Sequence, residues 1–560
     1  MKLRPYQTAA VEAVEDAWKT DPSTLMVLPT GTGKTVVFAH ILDRIPQGRA
    51  MVVAHREELI WQAADKIEAV TGDKPDVEMA DFKAAHSFWG KSRFVISTVQ
   101  TQNAGRNGGR MTGFDPHEFA VLVVDEAHHA TAPSYRRIID HYRQNPALRV
   151  LGCTATPDRH DEAALGQVFG SCAYDYEIVD AIGDGWLVPI RQRAVAVDGL
   201  DYSSVRTTAG DLNGADLARV MEYEETLHGI AYPTLDLAAG RKTLVFAASV
   251  AHAERLCEIF NRHADGCSRF VTGTTPKEER RAMLADYAAD RFQILCNVGV
   301  ATEGFDEPGI AVVVMARPTK SRALYAQMAG RGTRPLPGLV DGYEADARRG
   351  RIAGSIKPYL EVVDFVGNSG RHKLVTSADI LGGNYADDVI ERARAATESA
   401  AGAPVDMLDA LALAEREIAA EHERARRAAL RVKASYTARQ VDPFDVLHIE
   451  PWRERGWDKD RPLSPKMAAL LEKQGIDVRG LSYTQASQLC AEIIRRFTER
   501  RCTFKQARLL SKFGYDPDVT FDQARRLIDA VAANGWQRPP DAAPVPVPEP
   551  ESEPAFAMPF

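Results

Sequence analysis

Pro29-Thr30-Gly31-Thr32-Gly33-Lys34-Thr35 decides how this chain is read. An apolar run at 25–28 precedes it, and the helix-forming run Val36-Val37-Phe38-Ala39-His40-Ile41-Leu42 follows. A glycine-rich turn between a buried strand and a helix is the setting in which Gly-x-Gly-Lys-Thr binds phosphate. The glycines let backbone N–H groups close around phosphate oxygens, and the helix N-terminus adds a favourable dipole. Lys34 suits the β- and γ-phosphates, and the Thr35 hydroxyl suits Mg²⁺. The strict pattern has Gly where this chain has Leu28, so the loop alone leaves an ordinary turn open.

A second element closes most of that gap. Val121-Leu122-Val123-Val124 reads as a buried strand and runs into Asp125-Glu126-Ala127-His128. A carboxylate at the C-terminal end of a parallel strand lies beside the phosphate loop. Asp125 suits Mg²⁺ held through water, and Glu126 suits orienting and deprotonating an attacking water.

Around these motifs, short continuous apolar runs fall at 25–28, 50–54, 94–97, 121–124 and 150–153. Runs of that kind are strands buried on both faces of a parallel sheet, and the gaps are long enough for crossover helices. A second set falls at 243–247, 269–271, 292–296, 311–315 and 360–363, with helical patterns at 251–262 and 277–289 between. Two consecutive α/β units follow, joined by a less regular stretch at 191–236.

The 560 residues imply about three to four domains. A formal net charge of -8 excludes a uniformly basic coat but not local basic patches. No apolar run approaches the roughly 20 residues that span a bilayer, so no membrane partner is expected. The start of the chain has no apolar segment of the signal-peptide kind. Seven cysteines at 153, 172, 257, 267, 296, 490 and 502 form no C-x-x-C pair. A zinc ribbon is therefore not expected, and reduced thiols in a cytoplasmic protein are.

In order, the motifs resemble those of superfamily 2 helicases and translocases from residue 3 to about 365. The resemblance implies two tandem RecA-like domains using ATP and Mg²⁺. Leu3-Arg4-Pro5-Tyr6-Gln7 looks like the adenine-reading Q motif, implying that Gln7 hydrogen-bonds the base and Arg4 packs on it. The segment Thr30, Gly31, Thr32, Gly33, Lys34 and Thr35 is motif I, and Asp125-Glu126 begins motif II. Ala54-His55-Arg56-Glu57-Glu58-Leu59 resembles motif Ia and Ser97-Thr98-Val99-Gln100-Thr101 motif Ib. His55, Arg56, Thr98 and Gln100 are thereby implied to hold the nucleic-acid backbone. Thr154-Ala155-Thr156-Pro157 resembles motif III, implying that Thr154 and Thr156 couple ATP state to strand grip.

In the second unit, the motif IV resemblance at 244–249 implies a nucleic-acid contact at Ser249. Ala301-Thr302-Glu303-Gly304-Phe305-Asp306 resembles motif V, with Thr302 implied at nucleic acid and Gly304 and Asp306 near the nucleotide. Gln327-Met328-Ala329-Gly330-Arg331-Gly332-Thr333-Arg334 resembles motif VI, implying arginine fingers at Arg331 and Arg334 and a coupling role for Gln327. Within the superfamily, Asp125-Glu126-Ala127-His128-His129 and 152–159 look closer to DNA-directed members. Those are the helicase module of type I and III restriction enzymes and a bacterial DNA-repair branch. That branch's cysteine-rich zinc segment is absent here, and no Pro-Asp…Glu-x-Lys nuclease motif is found.

The C-terminal third carries an internal repeat. Leu463-Ser464-Pro465-Lys466 aligns with Cys502-Thr503-Phe504-Lys505, and Leu481-Ser482-Tyr483-Thr484-Gln485-Ala486 with Val519-Thr520-Phe521-Asp522-Gln523-Ala524. Each unit reads as helix, Gly stop, Ser/Thr cap, helix, and the two are expected to pack together. Residues 463–536 are locally +4. Arg495, Arg496, Arg500 and Arg501, with Phe497 among them, read either as a nucleic-acid surface or as a solvated helix face. Trp452 and Trp457 stack on bases or pack on the motor. The last 22 residues hold eight of the 31 prolines and four acidic residues, which reads as disordered. Their acidic end before Pro559-Phe560 resembles the partner-docking tip of single-stranded-DNA-binding proteins.

The expected fold is therefore α/β, two tandem RecA-like domains followed by a small all-α repeat domain and a disordered tail. Its boundaries are 1–190, a connector at 191–236, 237–370, a helical extension at 371–435, a linker at 436–462, the repeat at 463–536 and the tail at 537–560. The expected function is an ATP-dependent DNA helicase or translocase. An RNA-directed helicase and a nucleotide-gated clamp are the alternatives.

Overall fold

The computed structural model describes residues 2–84, 91–105, 109–155, 162–208, 210–300, 305–369, 372–383, 385–400, 402–429, 442–454, 456–459 and 461–538. The chain divides into two compact units, Met1–Lys433 with Arg455–Lys459, and Ala434–Glu454 with Asp460–Phe560.

The first unit holds two seven-stranded sheets. Strands β1 (Ser23–Val27), β2 (Arg49–Ala54), β3 (Asp76–Glu78), β4 (Phe94–Thr98), β5 (Phe119–Asp125), β6 (Arg149–Thr154) and β7 (Ser171–Asp175) build the first. Their order is β3-β4-β2-β5-β6-β1-β7, parallel throughout. Every residue of β1 and β4 is buried, which is why these strands read as unbroken apolar runs. A fully buried Leu or Val contributes about 1.5–3 kcal/mol, so the central strands hold this sheet together. Strands β3 and β7 escape an apolar-run reading because they are edges, short and partly exposed.

Ile190–Asp201 forms β8, and a small hairpin of β9 (Thr207–Thr208) and β10 (Asp211–Leu212) follows. The second sheet adds β11 (Thr243–Phe246), β12 (Ser268–Thr272), β13 (Ile294–Val298), β14 (Val312–Met315), β15 (Leu360–Asn368) and β16 (Val405–Asp406). Its order is β12-β13-β11-β14-β15-β8-β16, parallel except for the β8–β16 pair. The stretch expected as an irregular connector thus contributes a 12-residue strand to this sheet. Its first residues, Ile190-Arg191-Gln192-Arg193-Ala194, alternate between buried and half-buried, so no apolar run marks it. Helices Gly214–Met221 and Glu224–Ala238 follow, and their apolar faces join the core behind β11 and β14. The helical extension contains Ser377–Leu381, Asp387–Ser399 and Met407–Ala429.

The second unit contains helices Pro443–Leu447, Pro465–Gln474, Tyr483–Thr498, Phe504–Lys512 and Phe521–Ala533. Ser464, Ser482, Thr503 and Thr520 cap the last four, and Gln485, Gln506 and Gln523 complete capping boxes. Leu471, Leu489, Phe504, Leu510 and Ala524 share one core, so the two repeats bury each other's apolar faces. Phe444 and Leu447 from the expected linker join it. Trp457 lies in the first unit, packed with Leu165 and Phe169 behind the first sheet. Trp452 is half exposed. No described helix is long and apolar enough to cross a membrane. The tail from 539 lies outside the described residues.

Candidate nucleotide site in the cleft of the first unit

The loop between β1 and helix Lys34–Asp43 is held from the N-terminal helix, Pro5–Ala17. Tyr6 Oη donates to the Thr32 carbonyl at 2.7 Å, and Gln7 Nε2 donates to the same oxygen at 2.8 Å. Gln7 Oε1 accepts from the Arg4 backbone N–H at 2.9 Å, and the Thr32 hydroxyl donates to Pro29 O at 2.7 Å. Gly31 and Gly33 sit at φ +90° and +84°, left-handed conformations that disfavour a side chain.

Asp125 ends β5 and accepts from the Glu126 N–H at 3.0 Å. Glu126 itself has φ 50°, an uncommon conformation for a non-glycine residue and one that clusters at functional sites. Burial pushes its carboxyl up, but Lys34, His128, His55 and Arg331 outweigh this and hold it below the usual range. Glu126 Oε2 is buried with no hydrogen-bond partner. His128 Nδ1 lies 3.2 Å from Thr154 Oγ1 and 3.5 Å from that carboxylate, tying the acidic turn to the end of β6.

The second sheet supplies the opposite wall. Helix Arg322–Gly330 ends against the loop: a Cβ on Gly330 would stand 2.6 Å from Thr30 Cβ. Arg331 Nη1 donates to Phe305 O at 2.9 Å, and Arg334 pairs with Asp306. A Cβ on Gly31 would meet Arg334 Cγ at 3.1 Å, so that side chain lies directly over the loop. Burial and the neighbouring Arg4 lower the Arg334 guanidinium to about 10. Gln327 is buried on the same helix.

Between the walls is a cavity of about 710 Å³. Arg4, Gln7, Gly31, Gly33, Thr35, Asp306, Arg331 and Arg334 line it, and Lys34, Asp125 and Glu126 lie outside its lining. At one end Arg4 Nε and Nη2 grip Asp341 at 2.8 and 3.1 Å, and Arg4 lies 4.8 Å over the Trp186 ring. Tyr6, Trp186, Asp341 and the wall at 335–340 were not expected from sequence. Tyr6 had a local signal, sitting beside Gln7. Asp341 and Trp186 had none, because they arrive from opposite sides of the cleft.

A second set of contacts closes the cleft elsewhere. Arg56 Nη1 donates to Gly299 O at 2.5 Å, Glu57 pairs with Lys277 at 2.6 Å and Glu58 with Arg280 at 3.1 Å. Gln100 Nε2 donates to His55 O at 3.0 Å, so those two segments share an edge. Thr98 and Ser249 are helix caps: their Oγ atoms accept from the N–H groups of Thr101 and His252 at 3.1 and 3.0 Å. Thr156, Thr302 and Gly304 lie outside the described residues.

The site fits a nucleoside triphosphate with a divalent cation. Arg4, Arg331 and Arg334 converge on the cavity, the loop glycines leave its floor open, and the buried Glu126 carboxylate, 3.5 Å from His128 Nδ1, is held ionised by Lys34, His128, His55 and Arg331.

Residues 1–159 match the family model "Type III restriction enzyme, res subunit", and residues 225–335 match "Helicase conserved C-terminal domain". The chain belongs to the superfamily 2 helicases. Among relatives of this chain, a Saccharomyces cerevisiae protein carrying the name ATP-dependent helicase IRC3 is 30% identical, covering 69% of this chain and 54% of its own. The type I restriction enzyme EcoKI endonuclease subunit of Escherichia coli is 27% identical over 60% of this chain and 33% of its own. The DNA 3'-5' helicase XPB of Mycobacterium tuberculosis is 25% identical over 60% and 58%. The chain spans about half the length of the curated relatives it matches.

Proposed function

We propose that this chain is an ATP-dependent DNA helicase or translocase that hydrolyses ATP in the cleft. One observation carries the reading: Arg331 and Arg334 of the second sheet face the phosphate loop of the first across one cavity. In this reading Gln7 and Arg4 hold the base, and the loop N–H groups and Lys34 hold the phosphates. Mg²⁺ held by the Thr35 hydroxyl and Asp125 would neutralise phosphate charge. Glu126 orients the attacking water and takes its proton, a role that suits a carboxyl kept ionised by Lys34 and its histidine neighbours. Arg331 and Arg334 stabilise charge on the transferring phosphate, and Asp306 releases Arg334 to do so.

Closure around the triphosphate then depends on both walls, and hydrolysis weakens it. His55, Arg56 and Gln100 form the edge proposed to grip the track. Thr98 and Ser249 shape their turns as caps, while Thr154 and Gln327 pass the cleft's state to that edge. DNA is the proposed track, supported by the relative named as a DNA 3'-5' helicase.

ATP hydrolysis rates with single-stranded DNA, duplex DNA and RNA test this. Stimulation by DNA above RNA is the expected outcome. Stimulation by RNA alone sinks the DNA reading. ATP-dependent retention without movement would leave only a clamp.

A further inference from the structure

Lys357 belongs to none of the motifs above, yet it is buried to 2% exposure in the turn before β15. Its Nζ donates to two backbone carbonyls, Pro308 O at 2.6 Å and Arg334 O at 2.7 Å. Pro308 and Arg334 both line the cleft cavity. The lysine therefore fastens the strip 305–308 to the turn that carries the arginines, while Arg331 bonds the other end of that strip at Phe305 O.

The neighbouring restraints stop short of Arg334. Val188 N–H donates to Thr333 O at 2.8 Å, and Gly332 packs so closely on Leu360 that a Cβ has no room. Beyond Thr333, the bond from Lys357 holds the Arg334 backbone carbonyl.

A buried ammonium is strongly disfavoured unless hydrogen bonds offset its burial, and Met would fill the same space without that penalty. Burial brings the Lys357 ammonium down to about 7, with Glu307 opposing the fall and Arg334 adding to it. Charged or neutral, the amino group has N–H donors for both carbonyls, so its hydrogen bonds rather than its charge are what it supplies.

We propose that Lys357 is a positioning residue for ATP hydrolysis, fixing the Arg334 backbone against Pro308 so that its guanidinium lies over the phosphate loop. The proposal rests on the cleft being the site of ATP hydrolysis. The test uses the full chain carrying Lys357→Met or Lys357→Gln, each alone and combined with Arg334→Ala, with melting followed alongside.

For Lys357→Met, kcat is expected to fall about tenfold while KM for ATP stays within about twofold. Lys357→Gln keeps a neutral NH2 donor group and is expected to fall less. In the Arg334→Ala background neither substitution lowers kcat further, because the residue acts through Arg334. If Lys357→Met does not fold, Lys357→Gln carries the same cycle. Unchanged kcat, a loss confined to KM, or an equal further loss in the Arg334→Ala background would overturn the proposal. A wild type without ATP hydrolysis overturns the functional reading instead.

Discussion

Two groups of arginines in this chain look alike in sequence and differ in structure. Arg331 and Arg334 flank the cleft, and Arg495, Arg496 and Arg501 sit between the helical repeats. In the cleft, Arg331 bonds a backbone carbonyl and lines the cavity, and burial, with Arg4 adding to it, disfavours the charge on Arg334. In the repeat unit three of the four clustered arginines are answered internally, and Arg500 is exposed. Arg495 pairs with Glu492 and Glu499, each at 2.8 Å, and Arg501 donates to Asp518 O at 3.0 Å. Arg496, 3% exposed, bonds Cys502 O at 3.0 Å, Pro517 O at 2.5 Å and Asp518 at 3.2 Å. Clustered basic residues suit an anion where the fold gathers them around a cavity. The cleft does so with Arg4, Arg331 and Arg334, while Arg495, Arg496 and Arg501 bond groups of their own unit.

The contrast is sharpest at Arg331. Arg331→Ala is expected to lower kcat about a thousandfold with the protein still folded, read by ATP hydrolysis and melting together. Arg496→Ala should do the opposite, destabilising the repeat unit by about 3 kcal/mol in denaturant and leaving ATP hydrolysis intact. Arg495→Ala, at an exposed pair, should change stability by less than about 1 kcal/mol. A measurable loss of DNA affinity in folded Arg495→Ala would show that the internal pairs do not settle the matter.

A pH effect separates the second sheet's core from both arginine groups. His252 is buried, its Nδ1 accepts from Ala248 N–H at 3.2 Å, and burial lowers its pKa to about 3. The unfolded chain takes up this proton near pH 6.5 and the folded one does not. Stability is therefore lost as pH falls from about 6.5 towards 3, by about 1.4 kcal/mol per pH unit. His252→Asn keeps an acceptor for Ala248 and should flatten that slope in denaturation series at pH 6, 5 and 4.

The phosphate loop and the Asp125-Glu126 turn are legible in sequence because each is a contiguous pattern following an apolar run in a buried strand. The central strands are legible for the same reason. Strand β8 is not, since its polar alternation resembles loop sequence until β15 pairs with it. Asp341, Trp186 and Lys357 are not, since each matters through a contact formed only in the fold. The arginines of the repeat carried a readable signal: Glu492 three residues before Arg495 and Glu499 four after it are helical pairing distances. Ser249 and Thr98 likewise stand where a helix begins, the place of a cap.

The central claim is that one cleft brings a phosphate loop and two arginines to the same triphosphate, with Glu126 activating water. Its most direct test is ATP binding and single-turnover hydrolysis by wild type, Lys34→Ala and Glu126→Gln in the presence of DNA. Wild type is expected to bind and hydrolyse ATP. Glu126→Gln should still bind it and hydrolyse at least about a hundredfold more slowly, and Lys34→Ala should lose binding and hydrolysis together. Hydrolysis at the wild-type rate in both variants would contradict the account.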